Sequence, residues 1–153
     1  MLPSPIKTRT SDAWDEALQD QIRRTFLRAY SGEAISDEKI MAEAVEKGLV
    51  PVGLRAYFHV MEHWGISEEE ASVLLGFDYR PTETEIGIEQ LKRISHTLGI
   101  YRALHTLISY DSANTWVTRP NAAKLFGGKP ALELLRTGTS GFEAVRSHLV
   151  GAL

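Results

Sequence analysis

Residues 121–149 read "NAAKLFGGKPALELLRTGTSGFEAVRSHL". Three short apolar runs are divided by Gly127-Gly128, Lys129-Pro130 and Thr137-Gly138. Glycine-rich joints serve both phosphate-binding loops and tight helical corners, so their reading decides the class of protein. A phosphate loop needs Gly-x-x-x-x-Gly-Lys-Ser/Thr after a buried strand. Here Gly-Gly-Lys-Pro follows a helical run, and each glycine falls where a helix must stop or two backbones pass closely. The stretch predicts a very short helix over "AAKLF" capped by Asn121. A second begins at Pro130, and a third opens with a capping box of Ser140 and Glu143. The Gly-Gly pair is architectural.

Working outward, the remainder also has helical period. "SDAWDEALQDQIRRTFLRAY" spaces Trp14, Leu18, Ile22, Phe26 and Tyr30 four apart behind a Ser11 cap. "SDEKIMAEAVEKG" repeats the pattern, with Ser36 or Asp37 as cap, Ile40, Ala44 and Val45 on one face, and Gly48 as stop. "PVGLRAYFHVMEHW" starts at Pro51, a good first-turn residue, and lines up Leu54, Tyr57, Phe58, Met61 and Trp64. "SEEEASVLLG" carries a Ser67–Glu70 capping box and ends at Gly76. After "FDYRP" and a break at Gly87, "IEQLKRISHTLGIYRALHTLIS" predicts a long helix with Leu91, Ile94, Leu98, Tyr101, Leu104 and Leu107 inward. "SANTWVTRPN" reads as a loop. No strand alternation persists, so the predicted class is all-α. The divisions are N-terminal helices over 1–49, a middle domain over 50–110 and a C-terminal module over 111–153.

The 153-residue chain, 43% hydrophobic, has the length of one domain with a small appended module. It holds no cysteine, which excludes a disulfide framework, a thiolate nucleophile and cysteine-bound zinc. No apolar run approaches the roughly 20 residues that cross a bilayer, and the first residues lack a signal-like apolar core. These features predict a cytoplasmic protein without a membrane partner. The net charge of −3 advertises no nucleic acid, but basic residues lead from Asp111 onward, which suits an anionic or acidic partner.

The segment "HWGISEEEASVLLGFDYRPTETE" has the layout of a helix-turn-helix, and equally of a plain helical corner. The candidate DNA contacts are Arg80, Thr82, Thr84, Lys92 and Arg93. Base and phosphate reading wants Arg, Lys, Asn or Gln, whereas "RPTETE" offers Arg80 beside Glu83 and Glu85, which repel a phosphate backbone. His59 and His63 have the spacing of a metal-binding pair, but without His-Glu-x-x-His and without an obvious third ligand a plain histidine pair is the stronger reading. Glu68, Glu69 and Glu70 suit a helix's positive end. No nucleophile elbow occurs, so the residues point to no catalytic, metal or cofactor site.

"TWVTRPNAAKLFGGKPALELLRTGTSGFEAVRSHLVG" resembles the toxin-binding domain of the Xre/MbcA/ParS antitoxins. The resemblance rests on Trp116, Pro120, Asn121, Leu125, Phe126, Gly127, Gly128, Leu134, Leu135, Gly138, Val145, Arg146 and Leu149. Pro130 stands one residue earlier than the family's spacing. The upstream part, from "HWGISEEEASVLLG" on, is similar to the family's Xre-like helix-turn-helix half, so the likeness runs from about Pro51 to Leu153. It implies an antitoxin that obstructs the active site of a RES-domain, NAD-degrading toxin, needs no cofactor, and binds its own operator as a homodimer. The alternative is a stand-alone DNA-binding transcriptional regulator. The expected toxin contacts are Arg119, Asn121, Lys124, Lys129, Arg136, Arg146, Leu149 and Leu153.

Overall fold

A computed structural model describes residues 36–153. Among them lie seven α-helices: α1 (Asp37–Glu46), α2 (Leu49–His63), α3 (Glu68–Leu75), α4 (Ile88–Leu107), α5 (Tyr110–Thr115), α6 (Ala131–Leu135) and α7 (Thr139–Val150). One 3-10 turn, Glu83–Glu85, stands between α3 and α4. The only extended pairing among the described residues is an isolated bridge between Pro120 and Pro130. The chain is all-α. The helix expected through Trp14, Leu18, Ile22, Phe26 and Tyr30 lies outside the described residues.

Local chemistry explains most of the helix ends. Ser36 Oγ accepts from Lys39 N at 3.2 Å, and Asp37 and Glu38 complement the positive end of α1. Ile40 and Ala44 are buried as expected, whereas Val45 is 60% exposed on the opposite side. α2 begins at Leu49, ahead of Pro51, because the Gly48 cap turns the chain early; Pro51 still sits in the first turn, where its missing N–H costs nothing. In α3 the Ser67 side chain accepts from Glu70 N at 3.1 Å. Gly76 and Phe77 then close its end by donating back to Ser72 O.

The core is layered around α4. This 20-residue helix buries Leu91, Ile94, Leu98, Tyr101 and Leu104, and also Ile100, Ala103 and the polar Ser95, His96 and Thr97. It packs most extensively on α7, and next on α2, so two faces are covered instead of one. Leu107, expected inward, is 36% exposed in the last turn of α4. Tyr57, fully buried on α2, donates its hydroxyl to Ala71 O at 2.7 Å and ties α2 to α3. Burial pushes the Tyr57 phenol well above its ordinary pKa, so it remains a neutral donor.

Three further local expectations differ from the structure. "SANTWV" is not a loop from its start: Ser109 caps α5, which runs to Thr115. "AAKLF" forms turns instead of a helix, because Asn121 Oδ1 takes Ala123 N at 2.9 Å and bends the chain at once. The Ser140–Glu143 box does not form either. α7 already starts at Thr139 behind Gly138, so Ser140 lies inside the helix.

Candidate functional site

The segment from Trp116 to Pro130 folds back as a closed loop. Asn121 N donates to Lys129 O at 3.2 Å, Gly128 N donates to Asn121 O at 2.9 Å, and Leu132 N donates to Val117 O at 3.0 Å. Gly127 and Gly128 take φ values of 58° and 86°, in the left-handed region that side-chain-bearing residues rarely adopt. Their two positive-φ steps let Lys129 return beside Asn121. Phe126, 5% exposed, pins the loop from beneath. Its ring meets Trp116 edge-on at 5.5 Å between centroids and His148 of α7 at 5.2 Å.

Above that anchor the surface is cationic and partly apolar. Arg119, Lys124 and Lys129 are exposed there, as is Leu125 at 43%; Leu153, beyond the end of α7, is 64% exposed. Leu125 was legible only as part of a motif, since apolar type and helical period both place a leucine inside. His148, isolated in sequence, joins this cluster through Phe126.

The other expected toxin contacts are held within the chain. Asn121 shapes the loop through its own side chain. Leu149 is 4% exposed and belongs to the α4–α7 core. Arg146 is half-buried over Gly99 of α4, where its Nη1 lies 3.4 Å from His96 Nδ1. Arg136 donates from Nε and Nη2 to Glu70 Oε2 at 2.9 and 2.6 Å and also pairs with Glu133. This strut joins α6 to the first turn of α3, and those carboxylates hold the guanidinium above its ordinary pKa. Because the partners are substantially exposed, each pair contributes only about 0–1 kcal/mol. Arg136→Glu is therefore expected to lower stability by about 1 kcal/mol in denaturant melts, with the loss shrinking at high salt.

The DNA candidates are similarly engaged. Arg80 pairs with Glu68 at 3.1 Å and lies over the Phe58 ring at 4.3 Å. Lys92 lies 3.4 Å from Asp37 and 3.6 Å from Glu89. Arg93 is an internal brace: it donates to Leu74 O at 3.0 Å and to Thr139 Oγ1 at 2.9 Å, linking α3, α4 and α7. Thr82 Oγ1 and Thr84 Oγ1 lie 3.1 Å apart beside the 3-10 turn. Where a helix-turn-helix would place its recognition helix stands that single turn, with Glu83 and Glu85 in it. Glu85 is held below the usual carboxylate range, first by the Tyr79 hydroxyl and then by Thr82 N, so the negative charge there is firm.

His96, buried beside Arg146 and Lys92, has its pKa lowered to about 4, chiefly by desolvation and then by the two cations. It is neutral when folded and regains an ordinary pKa near 6.5 when unfolded. As pH falls from about 6.5 towards 4, the unfolded chain binds a proton that the native chain does not. Stability should decline through that window by on the order of 3 kcal/mol, read as a falling melting temperature. His96→Gln should flatten the decline.

The geometry defines a small helical module, braced on α4, with an exposed cationic loop. Residues 103–151 match the family model described as the antitoxin Xre/MbcA/ParS C-terminal toxin-binding domain. The C-terminal third of the chain, residues 103–151, belongs to that domain family. The matched span opens inside α4, ahead of α5, in keeping with the packing of α7 on that helix. The chain is also similar to the uncharacterized protein y4oB of Sinorhizobium fredii. They are 30% identical over 97 residues, a match that spans 58% of this chain and 74% of that protein. No solved structure matches it. No helix among the described residues is long and apolar enough to cross a membrane.

Proposed function

We propose that this chain is the antitoxin of a type II toxin–antitoxin pair, acting in the cytoplasm by docking on a RES-domain, NAD-degrading toxin and obstructing its active site. The observation that carries the reading is the closed loop with exposed Arg119, Lys124, Leu125 and Lys129 above the Phe126 anchor. Three exposed cations and an exposed leucine carried on one loop suit a partner surface that offers acidic groups beside an apolar contact. The loop is already closed by backbone hydrogen bonds, so little conformational entropy is lost on association. Obstruction asks for no catalytic group on the inhibitor.

Operator binding by a homodimer is the second part of this reading. Arg80, Lys92 and Arg93 already have intramolecular partners, and the firm charge of Glu85 repels phosphate, so the geometry favours toxin docking over a stand-alone DNA reader. Co-expression with the product of the adjacent gene, followed by affinity capture, tests the proposal. A stable complex at equal stoichiometry supports it. Failure to co-purify, together with promoter affinity that falls steeply with salt, would replace it by the regulator reading.

A further inference from the structure

On α2, His59 and His63 stand one turn apart and half-buried. Positions four apart on a helix project from the same face, so their side chains can converge on one point. They do converge here. The two Nε2 atoms lie 3.1 Å apart, with ring centroids 4.6 Å apart and the rings nearly perpendicular. The Tyr101 ring of α4, itself 5% exposed, packs at 5.9 Å from the His63 ring and backs the pair.

We propose that His59 and His63 form a bidentate imidazole site for a borderline divalent transition metal such as zinc, nickel or copper. Two nitrogens at this separation, each about 2.1 Å from one ion, subtend about 95° at the metal, within the range of distorted tetrahedral and square-planar coordination. Both donors come from one rigid turn, so the bite needs no backbone rearrangement. Binding one metal through both Nε2 atoms uses the tautomer of each ring that carries its hydrogen on Nδ1. Among the described residues no cluster of three or more His, Asp or Glu forms a metal site, so water or an added donor fills the remaining coordination positions. Imidazole nitrogens select this class of metal over calcium or magnesium, which take oxygen ligands. The site lies on α2, whereas the proposed toxin-docking loop lies between α5 and α6.

Titration calorimetry of zinc chloride into the tag-free, full-length chain tests the site. Saturable binding is expected, weakened at least ~tenfold by His59→Ala and by His63→Ala alike, with His148→Ala unchanged. Proton resonances of the His59 and His63 rings in the wild-type chain provide a readout that depends on no variant. They should move together as zinc is added. Zinc affinity unaltered in a folded His59→Ala chain would overturn the assignment. So would zinc-induced shifts confined to other histidines, or no binding at all.

Discussion

Gly141→Ala is expected to be the most destabilising single-methyl substitution in the described chain. Gly141 is buried in the first turn of α7, where the backbone leaves α6 and doubles back. A Cβ there would collide with the Leu134 carbonyl and with Thr137 Oγ1. The first obstacle is backbone, and it is already fixed: Leu134 O accepts from Thr137 N at 3.0 Å. Relief would require moving α6 away from α7, which the packing of both on the core opposes. Overpacking of this kind costs about 3 kcal/mol at the upper end of its usual range. In a chain of this size that lowers the melting temperature by about 10 °C, measurable by circular dichroism. Gly99→Ala supplies the contrast. Its added Cβ meets only the far end of Arg146, within 2.5–3.0 Å, and a flexible side chain can swing aside. Its effect should be much smaller, and equal losses for the two variants would contradict this account of the α6–α7 corner.

Lys124→Glu combined with Leu125→Asp is expected to weaken toxin binding by about 100-fold while leaving the fold intact. Neither side chain supports the loop. Lys124 is exposed and Leu125 is 43% exposed, while closure is carried by backbone hydrogen bonds and by Phe126 beneath. The double change reverses one charge and replaces the exposed leucine of the loop with another. On a partner with an acidic rim this adds repulsion and strands a charge against apolar surface. Binding measured by calorimetry should fall, with the melting temperature of the free chain nearly unchanged. Lys39→Glu, an equally exposed charge reversal on α1, should leave affinity as it was. Similar losses for the two changes would indicate a general charge effect and no specific role for the loop.

Where structure follows from neighbouring residues, the sequence was readable. The Ser36 and Ser67 caps, the stop at Gly76 and the long α4 all rest on contacts within one turn of chain. The "AAKLF" run was misleading because helical period competes there with the Asn121 side chain, and the turn closes first. The start of α7 was misplaced for a tertiary reason: Gly141 must pass the Leu134 carbonyl, so the helix begins earlier than its best capping box. The site shows the same division. Residue type and motif located the cationic loop, yet type could not separate Lys124 from Arg136. Arg136 is claimed by Glu70, 66 residues away in sequence, and Arg146 by α4. Likewise Leu149 and Leu153 share a segment, and only packing decides that one is buried and the other exposed.

The most direct test of the central claim is the NAD-consuming activity of the proposed RES-domain toxin partner, titrated with this purified chain. The account predicts that activity falls to background as the chain approaches one equivalent per toxin active site, and that the Lys124→Glu, Leu125→Asp variant fails to suppress it at the same concentration. Undiminished NAD consumption at saturating wild-type chain would contradict it.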